Sequence, residues 1–126
     1  MADTKKIVLV MGSTALDQTG IYQGSFEEYQ DRYSINALNM SFQLSEMRTS
    51  FGGCAPNIAY GLHLLGVEAI PLSSAGRNFR DRYQGHLESQ GIRTDYIAVD
   101  ENREHCATCL MINDQSGNQI IGFYPG

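Results

Sequence analysis

The sequence predicts an α/β fold built on a parallel sheet, and three features carry the prediction. An aliphatic run, Ile7-Val8-Leu9-Val10, opens the chain and stops before Gly12-Ser13. A segment apolar at every position reads as a strand buried on both faces of a parallel sheet. Two later segments place apolar residues at helical spacing, and each closes on Gly followed by Val or Ile. Short aliphatic strands follow both, giving β-α-β-α-β with right-handed crossovers.

Each element has its own signal. Lys6–Met11 is the first strand, and Asp17 lies beyond its carboxyl end, where open α/β sheets bind ligands. Residues 20–24 (GIYQG) read as a short strand bounded by glycines. Phe26, Tyr29 and Tyr33 sit at helical spacing in a polar stretch, which predicts a short amphipathic helix within 25–40. Ser41–Arg48 alternates, with Phe42 and Leu44 on one face, and reads as a strand with unlike faces.

Asn57–Leu65 is the strongest helix, with Ile58, Leu62 and Leu65 on its apolar face. Pro56 suits the first turn, where no N–H is needed, and Gly66 suits the left-handed position after the end. Ala69–Leu72 is the second strand. Phe79–Gln90 is the second helix, burying Phe79, Tyr83 and Leu87 and closed by Gly91-Ile92. Tyr96–Val99 is the third strand. His105–Ile112 and Gln119–Tyr124 flank a turn-rich Asn113–Asn118 and predict an antiparallel hairpin.

Composition narrows the function classes. The 126 residues suit one domain, and 42% hydrophobic with 18% charged residues suits a folded chain. A net charge of −5 argues against a nucleic-acid partner. No apolar run approaches the roughly 20 residues that span a bilayer, and MADTKK before a short apolar run lacks the pattern of a secretory signal. Three cysteines cannot all pair, which suits a reducing cytoplasm.

The sharpest local signal is Phe51-Gly52-Gly53-Cys54-Ala55-Pro56-Asn57, running into the first long helix. Two glycines let a ligand approach the backbone, and a helix start offers unpaired N–H donors. Asn57 has a donor and an acceptor for adjacent hydroxyls, and the Asp17 carboxylate can accept two hydrogen bonds from a diol. An ordinary glycine turn, and a turn-forming Asp after a strand, are the structural readings that stand beside these. Cys106 and Cys109 resemble a CxxC pair. Their odd spacing on a strand points them to opposite faces, which favours packing thiols over a metal site. His63 and His86 lack a second ligand at i+4, so no metal site is expected. Arg77, Arg80 and Arg82 read as a solvated basic face, with phosphate contact as the alternative.

These motifs, in this order, resemble the pfkB, or ribokinase-like, family of carbohydrate and nucleoside kinases. The most specific stretch is GGCAPNIAYGLHLLG (Gly52–Gly66), followed by Ser74–Phe79 and LESQGIRTD (Leu87–Asp95). Ser41-Phe42-Gln43-Leu44 and Phe123-Tyr124-Pro125-Gly126 look most like the adenosine kinase branch. The resemblance implies a ribokinase-like parallel sheet with flanking helices plus a small β lid, formed near 20–24, 41–48 and 105–124. It implies transfer of the ATP γ-phosphate, with Mg2+, to a hydroxymethyl group of a sugar or nucleoside.

By the same resemblance Asp17, Gly52, Gly53 and Asn57 hold the acceptor's hydroxyls, and Phe42, Leu44 and Phe123 contact a base or ring from the lid. Asn78 stands where the family commonly has Asp. The segment with the family's catalytic aspartate and anion hole is missing from this sequence, as is the ATP site. The chain is therefore expected to be the N-terminal, acceptor-binding part of a single kinase domain, cut short on its C-terminal side, with no catalytic residue of its own and inactive alone. Two alternatives stay open: a ribokinase- or fructokinase-like sugar kinase, or a non-catalytic small-molecule-binding module that dimerises through its lid strands.

Overall fold

The aliphatic run becomes β1 (Ile7–Met11), and the chain continues through β2 (Ala15–Tyr22), α1 (Phe26–Tyr33), β3 (Leu44–Gly52) and α2 (Cys54–Leu64). Then come β4 (Glu68–Gly76), a π-helical turn (Arg80–Gln84) continued by α3 (Gly85–Ser89), β5 (Ile97–Asp100), β6 (Ala107–Asn113) and β7 (Gln119–Tyr124). The computed structural model describes residues 6–33 and 39–126. Residues 34–38 of the stretch read as the first short helix, and residues 1–5 of the segment read for a leader, lie outside the described residues. The chain divides into two compact units. The first comprises residues 6–16, 51–108 and Tyr124–Gly126; the second comprises residues 17–33, 39–50 and Cys109–Phe123.

The first unit carries the predicted β-α-β-α-β unit. Its three strands lie in the order β1-β4-β5, and both pairs are parallel, with Val10 opposite Pro71 and Ser73 opposite Ile97. Pro71 is tolerated in the middle strand because β5 pairs only with Ser73–Gly76, so no ladder bond on that side requires its missing N–H. The core gathers Val10, Ala55, Ala59, Ala75, Phe79, Tyr83, Leu87, Ile92 and Ile97. Both helix ends close as predicted. Gly66 (φ 77°) donates to the His63 carbonyl and Val67 to Leu62, while Gly91 (φ 76°) donates to Glu88 and Ile92 to Leu87. That paired pattern is the Schellman motif.

Three expectations about the first unit are corrected. Among the described residues β1 is an edge strand of its sheet, and only its Val10 is buried; Leu9 is 58% and Met11 79% exposed. The helix α2 packs by its small residues, Ala55, Pro56 and Ala59, which bring its backbone close to β1 and β4. Ile58 and Leu65 are consequently exposed, and of the predicted face only Leu62 packs on the core. The second helix begins with a π-helical turn, yet Phe79, Tyr83 and Leu87 are buried as expected.

In the second unit the segments read as lid strands join one four-stranded sheet in the order β3-β2-β6-β7. Strands β6 and β7 are neighbours joined by a five-residue loop, too short for a parallel crossover, so they form the predicted antiparallel hairpin. Strand β2 begins at Ala15, earlier than the predicted 20–24, so Asp17 stands inside a strand and not in a turn after β1. Strand β3 is shifted from 41–48 to Leu44–Gly52. The Tyr29 hydroxyl donates to the Ser41 carbonyl at 2.9 Å and accepts the Ser41 N–H at 3.0 Å, holding that residue off the ladder.

Candidate functional site

The loop after β1 meets the start of α2 at van der Waals limits, and that contact explains the glycines. A Cβ on Gly12 would come within 2.5 Å of the Cys54 Sγ. A Cβ on Gly53 would overlap the Ser13 carbonyl oxygen and come within 2.7 Å of the Thr14 Cα. Gly53 also has φ 91°, a conformation that disfavours side chains. Ala55 N–H donates to the Ser13 carbonyl at 3.3 Å, and Asn57 N–H to the Gly53 carbonyl at 3.4 Å. The backbone of Ser13–Thr14 is therefore locked against the N-terminal turn of an eleven-residue helix, the Ser13 carbonyl taking the Ala55 N–H that has no intrahelical partner.

The turn is held from its other side by aromatic residues. Tyr83, 1% exposed, donates its hydroxyl to the Gly52 carbonyl at 2.9 Å. Phe51 stacks on Tyr83 at 4.8 Å and on His86 at 3.9 Å, the latter with rings only 8° from parallel. Two polar side chains border the turn. The Thr14 Oγ1 is buried and has no hydrogen-bond partner among the described residues. The Cys54 thiol is exposed, 3.6 Å from the Ser13 hydroxyl; that hydroxyl, with the Ser13 backbone, holds its pKa below the ordinary thiol value.

Of the residues expected to bind a ligand, the first unit brings together Gly52, Gly53 and Asn57, with Asn57 exposed on α2. Asp17, Phe42, Leu44 and Phe123 belong to the second unit. There Asp17 is half-buried on β2. Phe42 packs in an aromatic cluster, 4.5 Å from the Tyr22 ring and 5.5 Å from Phe26. Leu44 packs over Gly20, where a Cβ would lie 2.7 Å from its Cδ1. Phe123 is 63% exposed on β7.

Sequence reasoning missed Ser13, Thr14 and the hydroxyl of Tyr83. The last was read only as core, although a buried tyrosine needs a hydrogen-bond partner and so marks an acceptor nearby. Cys106 is fully buried, and burial pushes its thiol pKa up. Among the described residues no group of three His, Cys, Asp or Glu side chains could hold a metal ion.

Comparison with known proteins follows the same residues. The model of the pfkB family carbohydrate kinases matches residues 8–126. The chain is 29% identical over 120 residues to a nucleoside kinase of Methanocaldococcus jannaschii, covering 94% of this chain and 36% of that protein. Among solved structures it is similar to Burkholderia thailandensis nucleoside kinase in complex with inosine, with TM-score 0.71 and 33% identity over 94% of this chain and 36% of that one. It is also similar to the Methanocaldococcus jannaschii nucleoside kinase structure, described as an archaeal member of the ribokinase family, with TM-score 0.76, 27% identity and the same two coverages. The chain thus spans about a third of the length of these relatives.

Proposed function

The chain belongs to the pfkB family of carbohydrate kinases, and from that premise we propose that it supplies the acceptor-binding part of a kinase that phosphorylates a nucleoside. The observation that carries the proposal is the Gly52-Gly53 turn, with Gly53 packed on Ser13–Thr14 at the start of α2. The missing Cβ of Gly53 lets the turn seat on Ser13 and Thr14, which fixes the backbone beside a helix start as a platform for a polyhydroxylated ligand. Gly52, Gly53 and Asn57 are assigned to the sugar hydroxyls, and Asp17 to a diol through its two acceptor oxygens. Phe42, Leu44 and Phe123 are assigned to the base, with the second unit's sheet as the lid. A nucleoside is favoured over a free sugar because the matched proteins include nucleoside kinases, one of them bound to inosine.

ATP as donor, Mg2+ and a cytoplasmic location complete the reading. The described residues do not fit a metal site, for no acidic cluster converges, and the sequence has no P-loop. The part these residues play is to bind and orient the acceptor. No described helix is long and apolar enough to cross a membrane.

Calorimetric titration of the chain with inosine, adenosine, ribose and fructose tests the reading. Nucleosides are expected to bind, weakly, ahead of the free sugars, and Asp17→Ala to abolish the signal; an unchanged titration for that variant removes Asp17 from the site. Incubated with ATP and Mg2+, the 126-residue chain alone is expected to phosphorylate none of them, and a phosphorylated product would overturn that expectation.

One observation favours pairing through the lid as well. All six residues of β7 are exposed, Ile121 by 55%, and an apolar edge strand is a template for a second copy. Sedimentation of the chain and of Ile121→Lys distinguishes a lid-edge dimer, lost in the variant, from a monomer. A dimer that binds none of the four ligands would favour the non-catalytic alternative.

A further inference from the structure

We infer that Tyr83 is a positioning residue of the acceptor site, setting the orientation of the Gly52–Gly53 peptide through its hydroxyl. The inference rests on the reading of that turn as part of the ligand site. In a planar trans peptide the carbonyl and the following N–H point in opposite directions. Fixing the Gly52 carbonyl on the Tyr83 hydroxyl, at 2.9 Å, therefore aims the Gly53 N–H the opposite way within the same plane. Neither Gly52 nor Gly53 has a Cβ, so no side chain of the turn itself helps to hold this peptide plane. Packing on Ser13–Thr14 holds the Gly53 side of the peptide, and the Tyr83 hydrogen bond holds its carbonyl.

The surrounding contacts make the donor rigid. Tyr83 is buried between Phe79, 5.9 Å away, and Phe51, 4.8 Å away, so its ring can present the hydroxyl in few directions. Phe51 is stacked in turn on His86. Tyr83 also stands in the π-helical turn Arg80–Gln84, a rare widening of a helix that occurs frequently at functional sites. The glycine turn thus takes its orientation from a helix outside the signature stretch, and the role belongs to a hydroxyl that core packing alone does not require.

The test compares Tyr83→Phe, which keeps the ring and removes the hydroxyl, with Leu87→Val, a comparable loss in the same core with no bond to the turn. The full 126-residue chain is titrated with inosine at a temperature where all three proteins are folded. The Gly53 amide is followed by 15N NMR without ligand. Tyr83→Phe is expected to displace the Gly53 amide resonance and to weaken inosine binding roughly three- to tenfold, in keeping with one lost hydrogen bond. Leu87→Val should do neither. An unmoved Gly53 resonance in Tyr83→Phe, or equal losses of affinity in both variants, would overturn the inference. If the unsubstituted chain binds no inosine, the acceptor-site reading fails, and the Gly53 resonance still decides whether Tyr83 sets the peptide.

Discussion

The Asp114 carboxylate accepts the backbone N–H of Phe26 at 2.9 Å, tying the β6–β7 turn to the first residue of α1 across 88 positions of sequence. Its oxygens also accept the backbone N–H groups of Ser116 and Asn118 and the Asn118 side-chain amide. One side chain thereby closes the hairpin turn and satisfies a donor that a helix start leaves unpaired. Burial alone would raise the Asp114 pKa, but these donors together hold it below the ordinary carboxylate value.

The sign of the pH dependence follows from that depression. A carboxyl with a lower pKa folded than unfolded contributes stability above its unfolded value, near roughly 3.9, and loses it as pH falls through the folded one. Asp114→Asn is expected to be less stable than the unsubstituted chain at pH 7. The difference in thermal midpoint should narrow as pH falls below about 4. A gap that stays constant from pH 7 to 2 would show that the charge is not what the turn uses.

Gly53 and Gly61 predict opposite outcomes for the same substitution. Gly53→Ala meets both a positive φ and the Ser13 and Thr14 backbone, so a loss of about 1–3 kcal/mol is expected, with loss of inosine binding. Gly61 lies inside α2 with nothing within 4 Å of its would-be Cβ. Gly61→Ala should therefore stabilise the chain, by about 0.5–1 kcal/mol. Urea unfolding of both variants reads the two signs directly.

The contrast between those glycines shows what sequence alone could reveal. Gly66 and Gly91 were legible because a helix end followed by Gly and an apolar residue is a local pattern. Phe79, Tyr83 and Leu87 were legible because the helical period survives a π-helical turn there. Ile58 and Leu65 misled because period reports which face is apolar, not whether an element covers it; Ala55 and Ala59 make the contact instead. The glycine turn could be singled out, but its tie to Tyr83 joins residues 31 positions apart, and nothing local encodes that distance. Asp114 was hidden likewise, as an ordinary turn residue, because its partner lies on another element.

The cysteines should separate by reactivity. Cys54 is exposed, and the neighbouring Ser13 hydroxyl and backbone lower its pKa, so more of it is thiolate near neutral pH. Cys106 is fully buried, and burial raises its pKa. With iodoacetamide at pH 7, Cys54 is expected to be alkylated well ahead of Cys106, as mass spectrometry of timed digests would show. Inosine should slow Cys54 if the adjoining glycine turn receives the ligand. Alkylation of Cys106 at the rate of Cys54 would contradict its burial.

Asn78, where the resemblance leads one to expect Asp, has a structural task that either residue could perform. Its Oδ1 accepts the Cys106 N–H at 2.8 Å, and its own N–H donates to the Glu104 carbonyl at 3.1 Å. Beside it Arg77 N–H donates to the Arg103 carbonyl at 2.8 Å, and a Cβ on Gly76 would come within 2.8 Å of the Cys106 nitrogen. The end of β4 and residues 103–106 are thus in close backbone contact, and the Cys106 N–H has no solvent to fall back on, since that residue is fully buried. Asn78→Asp keeps an acceptor oxygen at the same position and is expected to unfold in urea within about 0.5 kcal/mol of the unsubstituted chain at pH 7. Asn78→Ala strands the Cys106 donor and should cost about 1–3 kcal/mol. Equal losses in both variants would mean that the side-chain amide itself is needed.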